Sequence, residues 1–234
     1  MKQEKVEEEN NEMKGGEKTN YEFIIQIAII AVLAILLVYN AGKIYSVTGN
    51  VIASDSSSGG SGLATVSASE IIPKGVPAVY GKALGVSFDD VSASNPQLAD
   101  RTIQKLAAYE DKQLTAEQME RYKKIGGSIS CEYCCGAESI IFSNGQRACG
   151  CAHSYAMRGL AKYLLINNPE MSDYEILSEL GKWKVLFFPG VHEQKAQVLE
   201  AKGVDSKDYV NLASNKYRGI EQGKTSGGSM VGGC

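Results

Sequence analysis

Apolar residues divide the chain into one continuous hydrophobic run and a longer part with periodic patterns. The run covers Phe23–Tyr39, FIIQIAIIAVLAILLVY, in which Gln26 is the only strongly polar residue. It lacks the polar face that a helix on the surface of a globular domain needs. About 20 apolar residues, with about 17 as the lower limit, cross the hydrocarbon core of a bilayer. We therefore predict a single transmembrane helix over residues 22–42.

The residues around this run favour an uncleaved anchor. More than twenty acid-rich residues precede it, unlike the short basic region of a signal peptide. Four lysines lie before the run, whereas Lys43 is the only one in the thirty residues after it. Under the positive-inside rule, the N-terminus faces the cytoplasm. The predicted localisation is the cell membrane, with a single pass and an extracytoplasmic C-terminal domain.

Composition predicts the remaining domain organisation. Residues 1–21 are polar and charged, as in a disordered cytoplasmic tail. Residues 43–70 include SDSSSGGSG and form a flexible Ser/Gly linker. Residues 71–218 make up a helical, cysteine-rich metal-binding domain. Residues 219–234 are a flexible glycine-rich tail ending in cysteine.

Within residues 71–218, most apolar positions recur at helical spacing, so the fold class is mainly α. Asn95 before Pro96 marks one helix start. Two capping boxes mark others, one beginning at Thr115 and one at Ser172. Two short helices follow, over residues 191–202 and 205–215, with His192 in the first turn of the earlier one.

A short β-hairpin is predicted over residues 139–148. Three apolar residues, Ile140-Ile141-Phe142, are followed by Ser143 and then by the pair Asn144-Gly145. Asn-Gly is the preferred pair for a type I′ turn because both central residues need positive φ.

Five of the six cysteines and one of the two histidines fall within residues 131–153. Their order of knuckle, hairpin and helix resembles the treble-clef zinc motif, in which C-x-x-C supplies two ligands and the start of a helix two more. Tetrahedral Zn²⁺ accepts Cys₄ or Cys₃His. The candidate metal ligands are Cys131, Cys134, Cys149, Cys151 and His153.

Additional soft donors extend this set to Cys135, Met157 and Cys234. Thiolates combined with a thioether select soft ions such as copper(I). In this interpretation zinc is structural and copper is cargo. Met157 lies at i+4 from His153, although core packing is the more common role for a methionine at such a position. Cys234, in a loose tail, is suited to reach a metal-donor or metal-acceptor protein.

Two other uses of the cysteines stay open. Extracytoplasmic cysteines are normally oxidised. Disulfides between the C-x-x-C and the C-x-C, with Cys135 joined to Cys234, would give a stapled adhesion or scaffold domain. Alternatively, Cys131 and Cys134 would serve as the exchange pair of a membrane-tethered thiol–disulfide oxidoreductase.

Several function classes find no support in the sequence. A net charge of −3 gives no basic field for nucleic acid. We find no serine-centred triad, phosphate loop or H-E-x-x-H motif. The sequence therefore favours a metal-binding protein over an enzyme.

The segments CEYCCG and ACGCAHSYAMRGLAKYL, with the terminal MVGGC, resemble an uncharacterised family of membrane-anchored, cysteine-rich microbial proteins. The likeness covers roughly residues 75–188. The Cys-Gly-Cys core is also faintly similar to the PCYCGC-motif lipoproteins, although this chain has no Pro-Cys-Tyr and no lipidated cysteine. The resemblance implies a metal or thiol role without an assigned reaction.

Overall fold

The computed structural model describes residues 23–33, 66–222 and 230–232. The chain divides into two units, Met1–Gly60 and Ser61–Cys234. In the first unit, residues 23–33 are helical and their side chains are exposed. The described residues of the second unit are mainly helical and contain no strands.

The structure contradicts the predicted membrane anchor. In the part of the chain that the structure describes, none of the helices combines the length and apolar character needed to span a membrane. The predicted transmembrane helix over residues 22–42 and the single-pass localisation are therefore wrong. Residues 34–42 of that span, the tail 1–21 and most of the linker 43–70 lie outside the described residues.

The described part of the second unit contains eight α-helices. They are α1 (Ala68–Ile71), α2 (Gly81–Leu84), α3 (Pro96–Ala107), α4 (Ala116–Gly127), α5 (Ala152–Asn167), α6 (Asp173–Phe187), α7 (Pro189–Ala201) and α8 (Tyr209–Ala213). Short 3₁₀ turns cover Phe88–Asp90 and Asn215–Tyr217.

The helix starts follow local capping chemistry. Asn95 caps α3, with a proline in its first turn. Thr115 and Gln118 form a reciprocal capping box at α4, and Ser172 and Glu175 form one at α6. These three predicted starts are confirmed, because each cap satisfies backbone N–H groups that the first helical turn leaves unpaired.

Helix α5 is the centre of the larger core. α3, α4 and α6 all pack against it, and its own buried residues include Met157, Leu160 and Leu164. A second, smaller core lies between α6 and the pair α7 and α8. Helix α6 joins the two cores because Trp183 and Phe187 enter the larger one and Val185 enters the smaller one.

The predicted β-hairpin is reduced to a single antiparallel bridge between Ile141 and Arg147. Gly145 does form a tight turn at φ +85°, with its N–H donating to the Phe142 carbonyl at 2.8 Å. The Ile140 N–H, however, donates to the Ile129 carbonyl at 2.9 Å. The segment is thus held by two backbone bonds across its turn, from the Phe142 and Ala148 N–H groups, and by this bond to the loop after α4, but no strand forms there. The hairpin element of the predicted treble-clef-like fold is wrong.

Candidate metal centre

The loop after α4 and the start of α5 bring the sulfur atoms together. Cys131 and Cys151 are both buried. Cys151 is the N-cap of α5, and its Sγ accepts a hydrogen bond from the Ser154 backbone N–H at 3.4 Å. His153 follows in the first helical turn and is fully buried. The start of one helix therefore positions both a thiol and an imidazole.

Two overlapping groups of donor atoms could hold a metal ion. In one group, atoms within 4.8 Å of one another come from Cys131, Cys134, Cys151 and His153. In the other, they come from Cys135, Cys149 and Cys151. The Cys151 Sγ belongs to both, at 3.3 Å from the Cys131 Sγ and 3.4 Å from the Cys149 Sγ. Around Zn²⁺ two thiolate sulfurs lie about 3.7 Å apart, so an ion would draw the outer donors inward by about 1 Å.

The thiols are not equivalent in oxidation state. Cys135 and Cys149 are joined by a disulfide, and Cys134 is also disulfide-bonded. Cys131 and Cys151 are free thiols. In this state Cys149 offers no thiolate ligand. The predicted disulfides between the C-x-x-C and the C-x-C are wrong, because Cys131 and Cys151 are both free. Cys234 lies outside the described residues.

The hydrogen bonding of His153 defines its tautomer. Its Nε2 lies 2.8 Å from the Val231 carbonyl oxygen, which can only accept, so Nε2 carries the proton. In the neutral ring, Nδ1 then has a free lone pair, and this buried atom has no hydrogen-bond partner among the described residues. Aromatic packing holds the ring, with centroids at 4.6 Å from Phe187 and 5.0 Å from Phe188.

A short segment near the C-terminus supplies that carbonyl. Val231 is buried, and its N–H donates to the Phe187 carbonyl at 2.9 Å. Gly232 follows at φ +86°, a conformation that favours glycine. Residues 230–232 are thereby fixed between the end of α6 and the start of α5.

Cys131 and Cys151 share a hydrogen bond that separates their acidities. The bond to Cys151, followed by burial, raises the pKa of Cys131 above its ordinary value. The bond with Cys131 lowers the pKa of Cys151 despite burial, and the His153 ring and Ser154 act in the same direction. The shared bond therefore shifts the pKa values of the two thiols in opposite directions.

Arg158 organises the loops around the sulfur atoms, a role that the sequence analysis missed. This fully buried guanidinium donates to the Glu110 carboxylate at 2.7 Å. It also donates to the carbonyl oxygens of Ile140 and Cys149, at 3.0 and 2.8 Å. The sequence signal was an arginine directly after Met157 on the apolar face of α5, where an unpaired charge would be costly.

A second buried ion pair lies directly beside the cysteines. Lys184 Nζ donates to Glu132 Oε2 at 2.7 Å and to the Ala213 carbonyl at 2.8 Å. Burial lowers the pKa of Lys184 to about 8. Burial alone would raise the pKa of Glu132, but the charges of Lys184 and Lys195 outweigh it, so that pKa is lowered. Because Glu132 follows Cys131, the pair fixes the C-x-x-C loop against α6.

Further polar groups continue this buried cluster. The Tyr133 hydroxyl donates to Glu221 at 3.0 Å, and burial followed by the Glu132 charge raises its pKa. Lys195 Nζ and His192 Nε2 are buried without a hydrogen-bond partner among the described residues. Burial lowers the pKa of both groups. A lysine between Trp183 and Val185 was the sequence signal for this cluster.

Met157 lies in the main hydrophobic core, where it is 1% exposed. It therefore has the core position that was one of its two interpretations. The described geometry is that of a cysteine-rich site in which thiol and imidazole groups could hold a metal ion.

Comparison with protein-family models, with curated proteins and with solved structures gave no match for this chain. The resemblance to membrane-anchored cysteine-rich proteins thus stays a prediction and contributes nothing to the function.

Proposed function

We propose that the protein binds one soft metal ion, Zn²⁺ or Cu⁺, through Cys131, Cys151 and His153, with Cys134 as the fourth ligand when its disulfide is reduced. All four residues place a donor within 4.8 Å of the others. Thiolate and imidazole together suit both ions.

The observation that carries this proposal is the hydrogen bonding of His153. Metal-ligating histidines usually donate their second ring N–H to a carbonyl or carboxylate, which fixes the tautomer and leaves the other nitrogen for the metal. His153 meets this description, because Nε2 faces the Val231 carbonyl and Nδ1 is buried without a partner among the described residues. His153 is also one of four residues that each place a donor atom within 4.8 Å of the others, so an unpaired buried lone pair on its ring suits a cation.

Oxidation of Cys134 decides how many ligands are ready. While it is disulfide-bonded, the centre offers two sulfurs and one nitrogen. A four-coordinate structural Zn²⁺ site needs the reduced thiol as well. Zinc binding with full coordination therefore requires reduction, whereas Cu⁺ accepts the smaller donor set.

The test is metal titration of the full chain under argon, once with its disulfides intact and once reduced. Bound metal is counted by elemental analysis, and Co²⁺ substitution reports thiolate ligation from its sulfur-to-metal absorption. We expect one ion per chain. The His153→Ala variant should bind at least about tenfold more weakly, because loss of a mere orienting partner already has that effect.

His192→Ala is the matched control. His192 is equally buried and also bonds a backbone carbonyl, at 2.8 Å from Phe188 O, but it belongs to neither donor group. The His192→Ala variant should bind metal as tightly as the parent chain does. Equal metal affinity of the His153→Ala variant and the parent would overturn the proposal.

The stapled scaffold and the Cys131–Cys134 exchange pair fit the described residues less well. A scaffold held only by disulfides leaves the free buried thiols of Cys131 and Cys151 without a role. The exchange pair would require Cys131 to bond to Cys134, whereas Cys131 is free. Failure to bind any metal in the titration would favour the scaffold.

A further inference from the structure

Four sulfur atoms form a continuous row from the surface into the core. Cys135 is exposed and bonded to Cys149, which is 5% exposed. The Cys149 Sγ lies 3.4 Å from the Cys151 Sγ, and this atom lies 3.3 Å from the Sγ of Cys131, which is 0% exposed. Each neighbouring pair is therefore either bonded or in van der Waals contact.

The surrounding structure holds this row in place. The Arg158 guanidinium anchors the Cys149 carbonyl at 2.8 Å. The Ser154 N–H and Oγ both lie 3.4 Å from the Cys151 Sγ. A free thiol kept in contact with one sulfur of a disulfide is the arrangement from which thiol–disulfide exchange starts.

We propose that these four cysteines reduce external disulfides by a relay, in which Cys135 meets the substrate and Cys131 and Cys151 supply the electrons through Cys149. The substrate class is a small-molecule or peptide disulfide that reaches the exposed Cys135.

The internal steps balance without any cofactor. After losing its proton, Cys151 attacks the Cys149 Sγ, which lies 3.4 Å away, and forms the Cys149–Cys151 bond. The bond to Cys135 breaks, and Cys135 leaves with the electron pair as a thiolate at the surface. Cys131 then gives up its proton and attacks Cys151, so that Cys149 leaves with the electron pair and takes up a proton. The buried pair is now oxidised, and Cys135 and Cys149 are reduced.

The external step regenerates the surface disulfide. Cys135 attacks the substrate disulfide and releases one substrate thiol, and Cys149 then displaces the second. In sum, one external disulfide becomes two thiols, while Cys131 and Cys151 become a disulfide. One consequence rests on the proposed metal site. An ion bound by Cys131 and Cys151 would occupy both attacking sulfurs and so stop the relay.

The experiment uses the metal-free full chain under argon, with oxidised glutathione as the probe disulfide and no added reductant. Released glutathione is quantified, and acid quenching followed by alkylation and tandem mass spectrometry assigns each cysteine as free, bonded or glutathionylated. We expect two glutathione molecules per chain, with Cys131 and Cys151 joined at the end. The Zn²⁺-loaded chain should release none.

Two serine variants separate the steps. Cys151→Ser should release no glutathione, because the first attack is lost. Cys131→Ser should stop after the first attack, releasing one glutathione and leaving an adduct on Cys135. An adduct on Cys151 instead, or equal release from the Cys151→Ser variant, would overturn the relay.

Unmodified protein provides a readout that does not depend on variant folding. If its acid-quenched end state still contains the Cys135–Cys149 disulfide with Cys131 and Cys151 free, the relay is refuted. Failure of metal binding would leave the metal-free arm unaffected and would remove only the Zn²⁺ effect, so the two proposals fail separately.

Discussion

The two histidines of the chain show how one contact decides a residue's chemistry. Both are fully buried, and each bonds a backbone carbonyl through one ring nitrogen. His192 bonds Phe188 within its own helix start and faces Tyr133, with ring centroids at 5.5 Å. His153 bonds Val231, distant in sequence, and lies beside free thiols. Position next to sulfur, and not burial, separates a candidate ligand from a packed histidine.

The Gly232→Ala variant tests whether residues 230–232 hold His153 in place. A Cβ at this glycine would lie 2.4 Å from Ile103 Cδ1 and 3.2 Å from His153 Nε2, in a backbone with φ +86°. The added methyl group should displace residues 230–232 and weaken the bond between Val231 and His153. We expect metal affinity to fall about tenfold, as for loss of an orienting hydrogen bond, measured by Zn²⁺ titration.

Gly203→Ala controls for backbone strain alone. Gly203 also has positive φ, at +71°, but a Cβ there would meet nothing within 4 Å. This variant should lose some stability and keep the parent's metal affinity. If both variants bind Zn²⁺ as tightly as the parent, the contact between residues 230–232 and His153 does not support the site.

At the scale of elements, the crossing of α3 and α5 determines how closely the sulfur-bearing helix start approaches the core. A Cβ at Gly159 would lie 2.3 Å from the Leu106 carbonyl oxygen and 2.7 Å from the Ala107 Cα. Both atoms belong to the backbone of α3 and cannot rotate away. Gly159 therefore lets the two helices touch.

Gly159→Ala should consequently lower the free energy of unfolding by about 2 kcal/mol, within the range for overpacked cores. Urea denaturation monitored by circular dichroism measures this change. Gly127→Ala is the matched control, because Gly127 also lies in a helix and its Cβ would meet nothing within 4 Å. That variant should be as stable as the parent or about 0.5–1 kcal/mol more stable. Equal stability of the two variants would show that the helices have room to separate.

At the scale of the whole molecule, salt bridges between helices stabilise the fold and make its free energy of unfolding depend on pH. Asp173, the first residue of α6, accepts from Arg121 at 2.8 Å and lies 2.9 Å from Lys124, both in α4. Burial by itself would raise the pKa of Asp173, but the hydrogen bonds from Arg121 and Lys124 and their charges lower it below its ordinary value of 3.8.

A lowered folded-state pKa means that the ionised carboxylate stabilises the fold above pH 3.8, and that this contribution is lost as the pH falls through the lower folded value. Asp173→Asn should therefore cost about 1 kcal/mol at pH 7, from the partly exposed ion pairs and the helix dipole. The difference from the parent should vanish near pH 2. Urea denaturation at several pH values measures it.

Glu117→Gln serves as the control for this prediction. Glu117 lies in the first turn of α4 and has no ion pair with any described residue. It should show only a small helix-dipole effect. An Asp173→Asn penalty that stays constant down to pH 2 would contradict the assigned ion pairs.

The features that could be predicted from the sequence are local. Thr115 with Gln118 and Ser172 with Glu175 predict helix starts because a capping box involves only residues within one turn. The proximity of Cys151 and His153 was likewise predictable, because both lie at the start of one helix. The apolar run at residues 23–39 was misleading: it predicted a membrane-spanning helix, whereas no helix among the described residues is long and apolar enough to be one.

The use of each cysteine depends on contacts between residues that are far apart in the sequence. C-x-x-C-C and C-x-C are compatible with several pairings, and the bond between Cys135 and Cys149 depends on where a fourteen-residue loop returns. That return is held by Arg158 in α5, which donates to the carbonyls of Ile140 and Cys149 in the loop before this helix. The Val231 carbonyl that orients His153 comes from 78 residues away along the chain. Contacts between residues so distant in sequence arise from packing, and local pattern does not encode them.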